Sequence, residues 1–560
     1  MKKVNRLLSL TALALATAML AGACGGVSRG TTAPALSTSA PGELKPVTFK
    51  FYQEDGKEDD PWTNEVALEI TRLTGVTIDF DYPVGDTNST RIPLMISSGD
   101  YPDYIYVSHP LSALVEAEAL VDMTPYIEAR GDHIKRMYGE LLVRCRYMPE
   151  DPSIYVLGSG AIGRQSWSIQ SRYPVQIAVL KEFGWPDIKT RDEVVDLISQ
   201  YAAKYPEIDG MKTIPLSLNA KEYWRIDLGN SANFHLGWPD HGEWYVDETS
   251  FEAMLKFMHP EFREHYRWLN GLYNNGLLDP DSFTQSNDDF LAKIASGRVL
   301  SVLTSTWVYA SALGTLVEDG KNERLYAHLP ITKSTDIRSN STANIGWSGG
   351  WGVSITKKCK DIDRAFDFLN WCCTDEAQIL KNWGIEGVHY EYDSTGTRVT
   401  FPEVKEKMMN DTNYFRIAGV NRYTYPWPQQ GNGLKDPTGN TYTTATIEGI
   451  MDGYTDAERE ALAAYGANIW ADLHPPTSAF PQSPFGAAWQ VAIPADSVAY
   501  IAFNQLMDYI AMALPKTVIC GVNDFDAEYD KYIQGMYQYE VDKMNEEFTE
   551  LVKAKVEFWK

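Results

Sequence analysis

The sequence predicts an α/β protein of two lobes, each lobe a mainly parallel sheet flanked by helices. Its 560 residues are too many for one hydrophobic core, since cores stop growing beyond roughly 250–300 residues. Strand-like and helix-like segments alternate from residue 45 onward, which is typical of parallel sheets covered on both faces. A largely helical segment, rich in charges, covers residues 526–560.

The first lobe opens with three strands separated by two helices. Alternation of apolar and polar residues indicates the strands, and helical spacing that stops at a glycine indicates the helices. The predicted segments are strand 47–52, helix 62–74, strand 76–80, helix 91–98 and strand 104–107.

A second α/β region begins near Val175. Its predicted elements are helices 191–205, 290–297 and 361–370 and strands 299–303 and 351–355. From this order we expect a discontinuous first lobe, a second lobe, and a C-terminal helical segment that packs on both. The expected bounds are 45–160 with about 300–350 for the first lobe, 161–299 with 351–500 for the second, and 501–560 for the helical segment.

The first 44 residues predict export and an anchor. A short basic stretch precedes an apolar run from Leu7 to Ala23, which is the pattern of a signal peptide over residues 1–23. Ala21-Gly22-Ala23-Cys24 resembles the lipobox of bacterial lipoproteins, so we expect lipidation of Cys24 and a location on the outer face of the cell membrane. Residues 24–44 have the composition of a flexible tether. Ordinary cleavage before an unmodified Cys24 is the alternative.

Composition excludes several classes of function. The net charge is −25 and no basic stretch is present, which argues against nucleic-acid binding. The six cysteines form no C-x-x-C pair, so neither a thiolate zinc site nor a disulfide scaffold is expected. The histidine pairs 235/241 and 259/265 are six residues apart, whereas metal ligands on one helix face are three or four apart. We therefore expect no cofactor and no metal at the binding site, and a structural Ca²⁺ site elsewhere is the alternative left open.

Two short motifs suggest enzymes, but their surroundings do not fit. Residues 346–350 match G-x-S-x-G, yet the next residues alternate like a strand, whereas a nucleophile elbow needs a helix there. Residues 158–163 match G-x-G-x-x-G, but no helix is predicted to begin at this point. The sequence therefore predicts neither a serine hydrolase nor a dinucleotide site.

Five segments resemble one known family in the order in which they occur. They are 65–77, the Ile96–Asp103 turn (ISSGDYPD), 277–297, 351–390 and 521–532. On these segments the chain resembles the family 1 extracellular solute-binding lipoproteins of bacterial ABC-type sugar importers, in particular their long, tryptophan-rich branch from Firmicutes. The chain departs from the family at Gln176-Ile177-Ala178, where members usually have Arg-Lys-Asp, so no polar contact is transferred to this position.

The resemblance implies a fold, a function and partners. The fold would be the two-lobed periplasmic-binding-protein-like fold of type II, with a ligand cleft between the lobes. The chain would capture a sugar or oligosaccharide and deliver it to the permease of an ABC transporter, without catalysis and as a monomer.

The aromatic content favours a sugar as the ligand. The chain has 16 Trp and 32 Tyr, and aromatic rings bury the apolar C–H faces of sugars while polar groups bind the hydroxyls. In open sheets, ligands lie beyond the carboxyl ends of strands, and this rule ranks the candidates. The predicted ligand-binding residues are Glu54, Asp55, Ser108, Trp167, Trp224, Trp307, Trp347 and Trp351.

Two other functions remain open at this point. Acidic residues are frequent enough for an exported glycan-active enzyme, which would need two carboxylates across a cleft. A peptide-binding or sensor lipoprotein of the same fold is the second alternative, because a fold does not fix its ligand.

Overall fold

The computed structural model describes residues 45–54, 60–83, 88–107, 111–163, 165, 167, 169, 173–411 and 413–560. The predicted signal peptide, the lipidation site Cys24 and the tether lie outside these residues. Among the helices described, none is both long and apolar enough to cross a membrane.

Most strands are short. In chain order they are β1 Val47–Gln53, β2 Val76–Asp81, β3 Tyr104–Val107, β4 Leu157–Gly158, β5 Val175–Gln176, β6 Glu207–Ile208, β7 Met211–Lys212, β8 Ile214–Ser217, β9 Trp244–Val246, β10 Ala253–Leu255, β11 Val299–Val302, β12 Tyr326–Ala327, β13 Gly352–Ile355, β14 Tyr390–Tyr392 and β15 Arg398–Thr400.

The helices cover much of the rest. They are α1 Glu65–Thr74, α2 Asn88–Ser98, α3 Leu111–Glu116, α4 Thr124–Arg130, α5 Asp132–Tyr138, α6 Ile177–Glu182, α7 Arg191–Lys204, α8 Ser231–His235, α9 Pro260–Asn274, α10 Asn287–Ala295, α11 Thr306–Glu318, α12 Ile362–Cys372, α13 Asp375–Trp383, α14 Pro402–Asn410, α15 Tyr414–Ala418, α16 Ile447–Gly453, α17 Asp456–Tyr465, α18 Val498–Ile519, α19 Phe525–Met536 and α20 Val541–Phe558.

The caps show why these helices begin and end where they do. The Asn64 side chain accepts a hydrogen bond from the backbone N–H of Ala67 at the start of α1, and Gly75 ends this helix in the left-handed conformation. Helix α7 begins with a capping box in which Thr190 and Glu193 each bind the other's backbone N–H. The predicted helices 62–74 and 191–205 are therefore confirmed with small changes at their ends.

The first sheet has the strand order β2-β1-β3-β13-β4. Strand β1 is parallel to β2 and β3, while β13 is antiparallel to β3 and β4. The second sheet has the order β12-β5-β11-β8, with β11 parallel to β8 and β5 antiparallel to its neighbours. The α/β class is confirmed, but both sheets are mixed rather than mainly parallel.

Each sheet has its own hydrophobic core. The first core combines strands β1–β4 and β13 with apolar residues up to Trp427, including Cys372 and Cys373, which are buried as free thiols. The second core combines residues 169–331 with residues 457–556. Helices α18 and α20 pack on the second core, where α18 contacts α9 and α20 contacts β10.

Two segments therefore lie in the sheet opposite to the one expected from their position in the sequence. We expected 300–350 in the first lobe and 351–500 in the second. Instead, β11 pairs with β8 in the second sheet, and β13 pairs with β3 in the first. The reason lies in strand pairing, which depends on partners more than 80 residues away, whereas the two four-residue strands have similar, largely apolar sequences with one serine each.

Candidate binding cleft

One edge of the first sheet brings together chain segments from all five of its strands. The parallel strands β1, β2 and β3 and strand β4 all end at this edge, whereas the antiparallel β13 begins there. Gly352, the first residue of β13, pairs with Val107 at the end of β3 and with Gly158 at the end of β4. Trp351 and Ser159 therefore lie side by side at this edge, and Ser159 donates hydrogen bonds to the Trp351 carbonyl from its N–H and its hydroxyl.

A central cavity of about 540 Å³ lies beyond this edge. Its volume is within the roughly 300–1,000 Å³ typical of small-molecule sites. Its walls carry six carboxamide side chains, several hydroxyl groups and two aromatic rings. The lining residues are Ser159, Gly160, Ala161, Gly350, Trp351, Asn382, Asn421, Thr424, Tyr425, Gln429, Gln430, Asn432, Thr443, Thr444, Ala445 and Gln490.

The carboxamides of the central cavity are partly held by the protein. Gln429 donates from Nε2 to the Ser159 carbonyl at 2.7 Å, and Asn382 donates from Nδ2 to the Gln378 carbonyl at 2.8 Å. Gln430 Oε1 and Thr443 Oγ1 are buried and have no hydrogen-bond partner among the described residues. Because buried polar atoms are normally paired, these two atoms fit a site that is completed by a ligand.

A second cavity, which we call the aromatic cavity, has a volume of about 210 Å³. Trp351, which packs on the first core, faces Trp244 and Phe503 of the second core. The rest of its lining is Leu111, Ser112, Val156, Arg225, Glu243, Gly350, Ala488, Trp489, Gln490, Val491, Ala492, Ile493, Tyr500 and Asn504. Its walls thus come from both cores.

Gly350, Trp351 and Gln490 line both the central and the aromatic cavity. The Trp351 ring lies 6.0 Å from the Trp489 ring. Trp351 has a φ of 49°, a left-handed conformation that is uncommon for residues other than glycine. Backbone strain of this kind is concentrated at ligand and active sites. The two cavities form one cleft, with Trp351 at their boundary.

A third cavity of about 220 Å³, the end cavity, lies at the carboxyl ends of β1 and β2. Tyr425 lines it together with the central cavity. Burial raises the pKa of Tyr423 far above its usual range, and the charge of Asp60 adds to this effect. The Tyr423 hydroxyl is therefore neutral at physiological pH. The lining residues are Gln53, Asp60, Phe80, Tyr82, Arg422, Tyr423 and Tyr425.

Of the predicted residues that the structure describes, Trp351 alone lines these cavities. Trp347 lies behind the wall of the central cavity, where its Nε1 donates to the Gly160 carbonyl at 2.7 Å and its ring packs against Tyr138. Glu54 follows β1 at the same sheet edge and is buried. Asp55 and Ser108 lie outside the described residues.

The remaining predicted tryptophans lie elsewhere. Trp307 is 53% exposed at the start of α11 and packs against Tyr223. Trp224 is half-buried against Phe257. Trp167 is half-buried, and its backbone N–H donates to the Gln165 carbonyl. The structure does not bring these three side chains into the cavities described.

The carboxamides and the end cavity were not predicted from the sequence. Asn and Gln at scattered positions between 382 and 490 follow no motif, so nothing in the sequence pointed to them. Tyr425 does have a sequence signal, because Tyr425-Pro426-Trp427 is an aromatic cluster in a segment without helical or strand periodicity, where a loop is expected to border the cleft. In the described residues, no group of three His, Cys, Asp or Glu side chains is placed to hold a metal ion.

Solved structures with the same fold cover nearly the whole chain. The FusA substrate-binding protein of an S. pneumoniae ABC transporter, in complex with kestose, has a TM-score of 0.65 and 16% identity, with 92% of this chain and 99% of that chain covered. The alginate-binding protein AlgQ2 has a TM-score of 0.64 and 16% identity, with 91% and 98% covered. An HMO-binding solute-binding protein of Bifidobacterium longum infantis has a TM-score of 0.63 and 14% identity, with 91% and 99% covered. At these identities the similarities show the fold.

The sequence itself matches a family. A comparison with curated proteins gave no match. The model of the family described as bacterial extracellular solute-binding protein, however, matches residues 65–384, which is more than half of the chain. The predicted resemblance to extracellular solute-binding proteins is thereby confirmed, and the chain belongs to the bacterial extracellular solute-binding proteins.

Proposed function

We propose that this protein captures a sugar or oligosaccharide in the cleft between its two cores and delivers it to the permease of an ABC transporter. One observation carries the proposal. Gly350, Trp351 and Gln490 line two adjoining cavities, and the walls of the aromatic cavity come from both cores. A ligand in this position contacts both halves of the molecule.

Contact with both cores links ligand binding to the relative arrangement of the two lobes. A ligand that bridges two lobes binds the closed arrangement better than the open one, and therefore shifts the population toward the closed form. We propose two lobes, one around each core, and propose that the permease recognises the closed form. In this proposal β13 and residues up to Trp427 belong to the first lobe and α18–α20 to the second, and the pairing of β13 in the first sheet and the packing of the three helices on the second core support this division.

The chemistry of the central cavity supports a sugar. A carboxamide offers a donor and an acceptor, as a sugar hydroxyl does, and the rings of Trp351 and Tyr425 offer apolar faces. Kestose, alginate and HMO are named as ligands of the structurally similar proteins. Trp351 is therefore our principal candidate for stacking against a sugar ring.

The proposal includes location and partners. The family is extracellular, and we propose that lipidation of Cys24 anchors a monomer on the outer face of the membrane. Binding is reversible and involves no catalysis, because capture and release are sufficient for transport. The structurally similar proteins are likewise binding proteins.

A thermal-shift screen tests the proposal. The chain from residue 25 onward, without lipid, is screened against mono- and oligosaccharides and against a peptide panel. Binding to the native state raises its stability by RT ln(1 + [L]/Kd), about 2.7 kcal/mol at a hundredfold excess over Kd. We expect an upward shift of the melting temperature for one class of glycan, which is recovered uncut after incubation. A shift with peptides alone, or cleavage of the glycan, would contradict the proposal.

A further inference from the structure

The end cavity continues the cleft beyond the central cavity. Tyr425 lines both cavities. Its hydroxyl is hydrogen-bonded to the hydroxyl of Tyr106 on β3, and the two rings lie edge to face with centroids 5.3 Å apart. Tyr425 is therefore held in place by the first sheet. A chain-like ligand that passes this ring enters the end cavity.

A buried carboxylate orients an arginine in the end cavity. Arg422 donates from Nε to Asp60 Oδ2 at 2.5 Å, and the Asp60 side chain is only 3% exposed. Asp60 also accepts hydrogen bonds from the Trp62 backbone N–H and the Tyr423 hydroxyl. The Asp60 carboxylate is thus fixed from three sides, and it fixes the plane of the guanidinium group. A planar, oriented guanidinium can bind two neighbouring oxygen atoms of a ligand.

Aromatic rings form one side of the same cavity. The rings of Phe80 and Tyr82 are stacked with centroids 5.5 Å apart and planes 8° apart. The ring of Tyr423 is parallel to Phe80 to within 4°, with centroids 6.4 Å apart. Three nearly parallel rings thus line this side of the cavity, and the half-buried Phe80 and Tyr82 retain apolar surface beside the guanidinium of Arg422, whereas Tyr423 is buried. Flat apolar faces next to an oriented donor suit a sugar ring, which has one C–H face and hydroxyls at its rim.

We infer that the end cavity is a separate subsite for one uncharged sugar residue at the end of an oligosaccharide, whose other residues occupy the central cavity. The inference rests on the proposed function and adds a minimum chain length to it. The Asp60 carboxylate, bound to Arg422 Nε at 2.5 Å, places a negative charge beside the guanidinium. This charge disfavours a carboxylate or phosphate group, whereas a sugar hydroxyl can accept a hydrogen bond from a guanidinium N–H without charge repulsion.

The length of the oligosaccharide is the first variable to test, with the unmodified protein. Neutral ladders of one to five residues from the malto-, xylo-, manno- and fructo-oligosaccharides are titrated by calorimetry. We expect affinity to rise stepwise with length, with at least about a tenfold gain, or about 1.4 kcal/mol, when the residue that reaches the end cavity is added. If a monosaccharide binds as tightly as the longest member of its series, the inference is wrong.

The substitution Arg422→Lys tests whether the gain in affinity with oligosaccharide length arises in the end cavity. Lysine keeps the charge opposite Asp60 but loses the planar fork. We expect this variant to lose about tenfold in affinity for the longer oligosaccharides and to leave the affinity for the shorter ones unchanged. Arg416→Lys is the matched control, because Arg416 is exposed on α15 and does not line the cleft. Tyr82→Leu replaces Arg422→Lys if the latter does not fold.

The outcomes separate the two proposals. If no glycan of any length binds, the proposed function fails, and the subsite fails with it. If a glycan binds but Arg422→Lys and Tyr82→Leu weaken all lengths equally or not at all, the function stands and the subsite is refuted.

Discussion

Trp351 has a strained backbone conformation and lies at the boundary of two cavities. Its left-handed backbone precedes β13 directly, and its ring lies between the carboxamides of the central cavity and the rings of the aromatic cavity. Holding a large side chain in this conformation costs on the order of 1–3 kcal/mol, which the surrounding packing must offset. We interpret the strain as the cost of presenting an indole to a ligand from both sides.

We predict that Trp351→Ala weakens ligand binding strongly. The substitution removes the ring that lines both cavities and leaves the backbone in place. Aromatic residues in the centre of a binding site contribute about 2 kcal/mol or more, so affinity should fall by roughly 30-fold. Calorimetric titration with the glycan identified by the thermal-shift screen measures this change.

Trp185→Ala is the matched control for this prediction. Trp185 also has a positive φ, of 60°, and is half-buried, but it packs against Tyr465 and does not line the cleft. It therefore reproduces the loss of an indole at a strained position. If Trp351→Ala binds the glycan with the same affinity as the unmodified chain, Trp351 is not part of the binding site.

Single residues also show the limits of prediction from sequence. Trp351 was predicted because it is an aromatic residue at the start of the strand predicted over 351–355, where the edge of the sheet is expected. Gln429 and Gln490 were not, because carboxamides at irregular spacing carry no periodic signal. Trp307 was predicted on the same topological rule as Trp351, yet its ring packs on Tyr223. The rule identifies the edge of a sheet, and side-chain packing decides which residues face the cavity.

At the scale of elements, β13 is the strand that returns the chain to the first sheet. It lies between β3 and β4, and its first residue requires glycine. A Cβ atom on Gly352 would lie 1.9 Å from the Leu157 carbonyl oxygen and 2.9 Å from the Gly158 Cα. Both are backbone atoms of β4, which cannot move aside as a flexible side chain can. The pairing of β13 and β4 therefore depends on the absence of a side chain at this position.

We predict that Gly352→Ala destabilises the first core and displaces Trp351. Overpacking against backbone typically costs about 1–3 kcal/mol in the free energy of unfolding. Gly314→Ala is the control, because Gly314 lies in α11 with nothing within 4 Å of the added Cβ, and alanine in a helix gains about 0.5–1 kcal/mol. Chemical denaturation measures both changes, and a Gly352→Ala variant as stable as the unmodified chain would contradict the prediction.

The existence of most elements was predictable, whereas their partners were not. Strand 104–107 and helix 361–370 follow from local periodicity, and the structure has Tyr104–Val107 and Ile362–Cys372. The exchange of β11 and β13 between the sheets could not be foreseen, because a largely apolar segment of four residues fits either sheet. Only long-range pairing, with β8 or with β3, distinguishes the two arrangements.

At the scale of the whole molecule, several buried histidines lie in and around the second core. Desolvation lowers the pKa values of His235 and His265 well below the usual range, and it lowers those of His328 and His474 to about 4. The rings of His235 and His265 lie 5.5 Å apart, and His474 Nε2 lies 3.0 Å from the His328 carbonyl oxygen. The second core is therefore built around neutral imidazoles, whereas the cavities of the first sheet contain none in their described linings.

We predict that the second core loses stability on mild acidification. The folded-state pKa values of His328 and His474 are about 4, below the unfolded value of 6.5, so the folded chain binds fewer protons. Their stabilising contribution is complete above pH 6.5 and is lost as the pH falls from 6.5 toward 4. The loss of folding free energy is on the order of 3 kcal/mol for each imidazole at the lower end of this pH range.

Melting temperatures measured between pH 7.5 and 4.5 should fall steeply with pH. The substitution His474→Gln should reduce the slope of melting temperature against pH, because glutamine does not titrate. His133→Gln, at an exposed position, should leave the slope unchanged. If the slope is the same in all three proteins, the buried imidazole of His474 is not a source of the acid sensitivity.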